Sequence, residues 1–416
     1  MDDEIKKRDH RKFGESFDLF HFEDIAPGAV FWHGNGMIIW RELEKYMREK
    51  LDSDGYEEVS TPVMVKKEVF EKSGHFQHYK ENMFYFTIPG EKKQIYVLKP
   101  MNCPESTYIY NFKPRSYRDL PLRLSEITDR LHRNELSGVV GGLFRVRQMS
   151  QDDAHIYCRP EQMEEEINKL LELVKSVYKH FDLPLNFNLA TRPDKAMGDP
   201  KLWKRAEAAL ENVLKKFGMP YQIKPKDGAF YGPKIDLNTK DSLDREWTIA
   251  TIQLDFQLAE NFNLSYTNEK GEKEKPVVIH RAILGTFERF IGIILEHFDG
   301  ALPLWLSPVQ ALIIPVGGAH EIYAAEITKE LKNKGIRAKA ALQNETVGKK
   351  IREGEMRKIP YILVVGDKEL TNKTVNARHY RRKPSFAKAS EGKQEGEISL
   401  EQLTEKLLRE IKNKII

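Results

Sequence analysis

The stretch Arg130–Cys158, RLHRNELSGVVGGLFRVRQMSQDDAHIYC, constrains the fold of this chain more than any other. It reads as two short strands joined by a Gly-rich turn. Side chains alternate across a strand, so Arg133 and Glu135 share one face of the first strand. Arg145, Arg147, Met149, Gln151, Asp153 and His155 likewise share one face of the second. The remaining positions include Leu143, Phe144, Val146 and Ile156. A hairpin that only covers a core would alternate polar with apolar residues. Here one face carries guanidinium groups and then an amide, a carboxylate and an imidazole. Guanidinium stays charged, and its planar fork donates two parallel hydrogen bonds to phosphate. The pattern therefore predicts a strand pair holding a phosphorylated ligand beside something small and polar. An exposed, salt-bridged hairpin is the alternative, but Gln-Asp-Asp-Ala-His has no stabilising purpose on a solvated strand.

The surrounding elements suggest an α+β architecture followed by an α/β one. Ile38 to Leu51 has helical apolar spacing (Ile39, Leu43, Tyr46, Met47), and Tyr56 to Pro62 reads as a strand closed by proline. Glu161 to Phe181 and Leu202 to Phe217 are amphipathic helices, and Trp247 to Leu254 is a strand. Pro276 to Ile279 reads as a short strand leading to His280 and then to a helix, Leu284 to His297, that carries Arg289. A mainly antiparallel sheet with such helices is α+β. From about Pro308 strands alternate with helices: strand Val309–Pro315, helix Ala319–Lys334, strand Ile336–Ala341, helix Val347–Lys358 and strand Tyr361–Val365. That alternation implies a separate domain with a largely parallel sheet. Residues 302–308, LPLWLSP, read as the linker, and Lys383 to Gly396 as a disordered surface insertion.

A chain of 416 residues allows two or three domains. No apolar run is long enough to span a bilayer. The charged N-terminus, MDDEIKKRDHRK, lacks the apolar core of a secretion signal, so a cytoplasmic protein is expected. Two cysteines, Cys103 and Cys158, are too few for a disulfide framework and fit a reducing compartment. Lys+Arg 67 against Asp+Glu 63 leaves a formal charge of +4, which neither demands nor excludes a nucleic-acid partner.

HRNE followed by RVR and QDDAH resembles motif 2 of the class II aminoacyl-tRNA synthetases, and among them the threonyl-tRNA synthetase family. Phe31-Trp32-His33, Pro100-Met101-Asn102-Cys103-Pro104, Tyr117 to Pro121, Gly228 to Lys234 (GAFYGPK) and Ile279 to Gly285 (IHRAILG) appear in the family's order. The resemblance runs from about Arg8 to the C-terminus. It implies a class II catalytic domain at residues 1–302, built on an antiparallel sheet, and a smaller α/β anticodon-binding domain at 308–416. The helix and strand near Ile38–Pro62 resemble motif 1, which in the family forms a homodimer interface.

The resemblance also implies roles. Cys103, His155 and His280 match the family's zinc ligands; alone, each would read as a packed cysteine or a hydrogen-bonded histidine. Three protein ligands leave coordination open, so the threonine amino and hydroxyl groups can both reach the metal. Valine lacks the hydroxyl and is excluded by about 10⁴-fold or more. Serine lacks only a methyl and loses about 1–3 kcal/mol. Asp153, Gln151, Tyr231 and Met101 complete the threonine pocket. Arg133 bridges the amino-acid carboxylate and the ATP α-phosphate, Glu135 reads the adenine amino group, and Arg145 holds the outer phosphates. Arg289 matches the motif 3 arginine near the γ-phosphate. Lys234 is expected on the phosphate or carboxylate, Gln253 on the ribose or α-phosphate, and magnesium between the phosphates. In the C-terminal domain Asn344, Glu369 and Arg378 match positions that read anticodon bases of tRNA(Thr).

Some positions depart from the family. Met149 stands where an aromatic residue usually stacks on adenine, Glu105-Ser106 replace Gly-His, and Thr286 replaces Ser. Full-length members usually carry further N-terminal domains, one of which hydrolyses seryl-tRNA; the expectation is that this chain lacks them. A catalytically dead, RNA-binding relative would be expected to lose Arg133, Arg289 or a metal ligand, and all are present. A zinc hydrolase would want a base beside a metal-bound water; the arginines argue against it. A prolyl or seryl ligase would lack the Cys/His/His set.

Overall fold

The computed structural model describes residues 8–416 except 92, 136–141, 242–243 and 380–392. The Gly-rich turn expected between the two strands of the arginine stretch lies within 136–141, outside the described residues, as does most of the expected insertion. The chain folds as two compact units. One comprises the segment up to His21, Phe31–Lys45 and Ile291–Ile416; the other comprises Phe22–Val30 and Tyr46–Phe290. Helix α1, Gly34–Ser53, is longer than expected, and all four of its predicted apolar positions (Ile39, Leu43, Tyr46, Met47) are buried.

In the unit containing the arginine stretch, eight described strands form one sheet: β1 (Glu57–Glu58), β2 (Leu122–His132), β3 (Gln148–Cys158), β4 (Asn186–Ala190), β5 (Tyr221–Lys224), β6 (Lys234–Lys240), β7 (Glu246–Asp255) and β8 (Val277–Thr286). Their order is β5-β4-β6-β7-β8-β3-β2-β1. The pairings are antiparallel except at the two edges, where β4 and β5 and also β1 and β2 run parallel. Helices α2 (Cys103–Asn111), α3 (Met163–His180) and α4 (Pro200–Phe217) belong to this unit. Helix α4 shows how sequence sets its limits: Asp199 caps it through Lys201 N, Pro200 opens it, and Gly218 ends it in a left-handed conformation.

Several expectations are corrected here. The strand at Tyr56–Pro62 is reduced to Glu57 and Glu58, with Val59 N still donating to Ser125 O at 2.8 Å; beyond that, Thr61 N donates to the buried Glu126 carboxylate instead of to a strand. The two strands of the arginine stretch are eleven residues each. Arg133 and Glu135 follow the end of β2, and Arg145 and Arg147 precede β3. Register shifts between Thr128 and Leu131, so face alternation does not carry through to Arg133. Arg147 N bonds to Gly28 O at 2.7 Å, outside the hairpin.

The expected short strand before His280 is a ten-residue strand running through it to Thr286. Helix α5 (Phe287–His297) begins only after that. The charged pair His280-Arg281 mimicked a strand end. Instead Arg281 is fully buried, pairs with Asp152 at 3.3 Å, and lies 4.7 Å from the centre of the Tyr56 ring. Register between β8 and β3 shifts between Ala282 and Thr286. There Asp152 accepts the amides of Ile283 (2.9 Å) and Leu284 (2.8 Å), which the ladder leaves unpaired. Gly285 has φ +67, and a Cβ there would lie 2.8 Å from Ile249 O. That turn delivers the chain into α5.

In the other unit a five-stranded sheet contains β9 (Ala311–Pro315), β10 (Ala338–Ala340), β11 (Tyr361–Val365), β12 (Thr374–His379) and β13 (Lys393–Ser399), in the order β10-β9-β11-β12-β13. The first three are parallel, with the crossover helices α6 (Glu321–Asn333) and α7 (Val347–Met356). The last two are antiparallel, so the sheet is mixed rather than largely parallel. Lys393–Gly396, expected as disordered, is the start of β13. Residues 302–308, expected as the linker, are largely buried: Leu302, Leu304, Trp305 and Leu306 are buried, and Trp305 O accepts from Arg337 Nη2 at 2.6 Å. No helix among the described residues is long and apolar enough to cross a membrane.

Candidate active site

Strand register builds the site. One row across the sheet pairs Lys234 (β6) with Gln253 (β7), Gln253 with His280 (β8), and His280 with His155 (β3). The next row on the same face pairs Asp236 with Thr251, Thr251 with Ala282, Ala282 with Asp153, and Asp153 with Glu126. The period-2 reading of β3 thus holds for Gln151, Asp153 and His155.

Cys103, the first residue of α2, completes a group with His155 and His280. One donor atom from each lies within 4.8 Å of the others, and all three are buried. A sulfur and two imidazoles so close together suit zinc. His280 Nε2 is 3.0 Å from Asp255 Oδ2, an arrangement that fixes the tautomer of a metal-bound imidazole from behind. Burial, with Asp153 and Glu105 nearby, pushes the Cys103 thiol well up, and burial beside His280 pushes His155 well down. Burial therefore favours the neutral thiol of Cys103 and the neutral imidazole of His155, and a cation is what would favour the thiolate.

A cavity of about 360 Å³ adjoins this group and is also lined by Met101, Arg133, Gln151, Asp153, Tyr231 and Gln253. Asp153 accepts from Asn102 Nδ2 at 2.9 Å; burial raises its pKa, opposed by that bond and by His280. The Tyr231 hydroxyl donates to Gln253 Oε1. Gln253 Nε2 donates to Thr251 Oγ1 (3.0 Å), which donates to Asp236 (2.9 Å). Lys234 Nζ lies 2.6 Å from Asp236, so its charge is already shared. Gly232 admits this approach: a Cβ there would sit 1.7 Å from Leu254 O.

A second cavity, of about 130 Å³, shares Arg133 and Gln151 with the first and is lined by Glu135, Arg145, Met149 and Arg289. Arg289 donates to Phe144 O (2.9 Å) and Thr248 O (2.7 Å), and lies 5.3 Å from the Trp247 ring centre. Burial, and the positive charges of Arg145 and Arg133, lower its pKa to about 10. Three guanidinium groups crowded this way favour a polyanion between them. Arg133 reaches Pro100 O at 3.4 Å, and its buried Nε has no hydrogen-bond partner among the described residues. Met149 packs on Leu131 and Val146.

Two participants escaped the sequence reading. Asp255 was legible, since it shares the face of Gln253 two residues earlier. His75 carried no such signal. It opens a five-residue helix behind Gly74 (φ +82), lines the larger cavity and sits 3.8 Å from Cys103 Sγ. Burial, then the charges of His280, His78 and Arg133, push its pKa down to about 3.

Among the described residues, no hydrogen bond or ion pair joins the three expected anticodon readers to one another. Asn344 is exposed, and Arg378 is half-buried on β12. Glu369 is half-buried and accepts from Gly366 N at 2.9 Å, capping helix α8 (Asp367–Asn372).

The sequence matches the tRNA synthetase class II core domain (G, H, P, S and T) family over residues 84–298 and the anticodon binding domain family over 310–410. A threonine–tRNA ligase of Carboxydothermus hydrogenoformans is 49% identical over 376 residues, covering 90% of this chain and 59% of that protein. One from Caldanaerobacter subterraneus subsp. tengcongensis is 46% identical over 416 residues, covering 100% and 62%. The chain thus spans about three fifths of the length of these relatives. The crystal structure of the RNA binding domain of threonyl-tRNA synthetase from Cryptosporidium parvum Iowa II superposes with a TM-score of 0.88 at 39% identity, covering 96% of this chain and 98% of that one. A class II core signature over half the chain and this full-length structural match lead to one conclusion: the chain belongs to the class II tRNA synthetases, among the threonyl-tRNA synthetases.

Proposed function

We propose that this chain activates L-threonine with ATP to threonyl-adenylate and transfers the threonyl group to tRNA(Thr), with residues 1–302 carrying the chemistry and 308–416 the anticodon. The observation that carries the reading is the junction of two unlike half-sites. The Cys103/His155/His280 group and the three-arginine cavity adjoin through Arg133 and Gln151, which line both. Activation needs an amino-acid carboxylate and an α-phosphate brought together with their charge compensated, and positioning supplies most of that catalysis.

Arg133, at the shared wall, bridges the carboxylate and the α-phosphate. Arg145 and Arg289 hold the outer phosphates with Mg²⁺, Glu135 takes the adenine amino group, and Met149 covers the base. Lys234 and Gln253 orient the α-phosphate side, Lys234 exchanging part of its pairing with Asp236. Asp153 holds the threonine ammonium or hydroxyl, with Gln151, Tyr231 and Met101 around the side chain. Cys103, His155 and His280 would hold Zn²⁺, which when bound supplies the contact that tells a hydroxyl from a methyl. Asn344, Glu369 and Arg378 read the anticodon, and helix α1 with the following strand forms the homodimer contact.

The test is threonine-dependent ATP–pyrophosphate exchange with metal analysis. Wild-type protein should carry one zinc per chain and exchange with threonine. Cys103→Ser should lose both, and near-wild-type exchange by that variant would reject the metal's part.

A further inference from the structure

The unit formed by the segment up to His21, Phe31–Lys45 and Ile291–Ile416 contains a third cavity, of about 280 Å³, that activation does not use. Its apolar wall includes Leu19, Ile39, Leu302, Val309, Leu312 and Ile359. Lys350, on α7, also lines it. The residue is 5% exposed, and no described carboxylate, carbonyl or hydroxyl bonds its ammonium. Its stem is buried while its ammonium is still reached by solvent, and a charge without a partner on a largely apolar wall favours an answering anion. The cavity's other charged lining adds to the demand: Lys339, Arg357 and Lys358 are cations, and Glu353 is the one carboxylate on the described wall. Lys358 is partly answered by Asp299 at 3.8 Å; among the described residues, nothing answers Lys350. The field inside is therefore positive.

We propose that this cavity binds a small organic carboxylate, its head on the Lys350 ammonium and its apolar body against Leu19, Ile39 and Leu312. One ammonium without a partner suits a monoanion, and the apolar wall suits a ligand that brings carbon as well as charge. The site is separate from the threonine and ATP cavities and does not depend on the reading given to them.

Sodium octanoate titrated calorimetrically into the whole chain is the test, with octan-1-ol, octyltrimethylammonium and inorganic phosphate as the comparison probes. Octanoate should bind saturably, and the alcohol and the cation should bind at least tenfold more weakly. Lys350→Met keeps length while removing the charge. It should lower octanoate affinity roughly ten- to hundredfold, the range expected for a charge-assisted hydrogen bond. Ala340→Phe, which fills the cavity from its half-buried wall, should abolish binding and leave pyrophosphate exchange unchanged. Octanoate should raise the unfolding midpoint of wild type but not of Lys350→Met. The proposal is overturned by an absence of saturable binding, by equal affinity for octanol, by unchanged affinity in Lys350→Met, by displacement with threonine or ATP, or by phosphate binding more tightly than octanoate.

Discussion

Asp255→Asn separates the two duties of one buried carboxylate. Oδ2 faces His280 Nε2 at 3.0 Å, while Oδ1 accepts from Gln257 N (2.7 Å) and Leu258 N (2.9 Å), closing the first turn of the helix Gln257–Asn261. Asparagine keeps one oxygen for the cap, at which it performs about as well as aspartate. Its amide nitrogen then faces His280 and can only donate. His280 must move its proton to Nδ1, so the nitrogen turned away from residue 255 loses the lone pair a cation needs. Loss of such a supporting contact lowers metal affinity about 10–100-fold, equivalent to about 1.4–2.7 kcal/mol. The fold itself keeps a hydrogen bond there but exchanges a charge-assisted one for a neutral one, a loss of about 1 kcal/mol. Asp255→Ala should show the same zinc defect with about a further 1 kcal/mol lost from the cap. Competition with a fluorescent zinc chelator and urea denaturation measure the two separately. If Asp255→Asn holds zinc within twofold of wild type, His280 is not oriented through Nε2, and its role as a ligand fails with that.

Met149→Phe should lower the ATP KM several-fold at unchanged kcat, since an aromatic face adds about 0.5–1.5 kcal/mol over an aliphatic one; an unchanged KM in a variant of wild-type stability would contradict the adenine contact. Asp152→Ala leaves Arg281 charged and buried and frees two strand amides, so denaturation should show about 3–5 kcal/mol lost. Adding Arg281→Met should recover part of it, and strict additivity would refute the coupling. Burial raises Glu288 to about 8 against an ordinary glutamate value near 4.3. The folded state therefore binds the extra proton between those values, and stability falls as pH rises through that window. Glu288→Gln should flatten the slope between pH 5 and 8 while still accepting from Ser150 N; parallel profiles would exclude Glu288 as the cause. Serine should support pyrophosphate exchange at roughly 10–200-fold lower kcat/KM than threonine, and valine at about 10⁴-fold lower or worse; a valine rate approaching that of serine would remove hydroxyl recognition from the pocket.

The parts of the site legible in the sequence are those lying on regular strand. Gln151, Asp153 and His155 obey period 2 because β3 is unbroken there, and the same rule reaches Asp255 from Gln253. The arginines do not obey it. A bulge between Thr128 and Leu131 precedes Arg133, and the backbone of Arg147 is held by Gly28. Their convergence with Arg289 depends on loop geometry, which no periodicity encodes. Cys103, His155 and His280 meet through the register of β3 with β8 and the placement of α2, so only the resemblance could join them. Residues 302–308 lie between the two family matches, as a linker would, but are packed. Four of the seven are Leu or Trp, and that apolar content is the signal for the burial.

The charges of the two half-sites are arranged in opposition. At one end Asp153 and Asp255 gather near His280; at the other, Arg133, Arg145 and Arg289 surround the smaller cavity. A zwitterion entering such a field is oriented before any specific bond forms, ammonium toward the carboxylates and carboxylate toward Arg133. That orientation presents the nucleophilic carboxylate to the arginine-lined side, where the polyphosphate would lie. Burial and the two neighbouring guanidinium groups hold the pKa of Arg289 down, so three like charges stand crowded without that anion. Nucleotide binding would relieve the crowding, and the arginines therefore contribute more to affinity together than each would alone on an open surface.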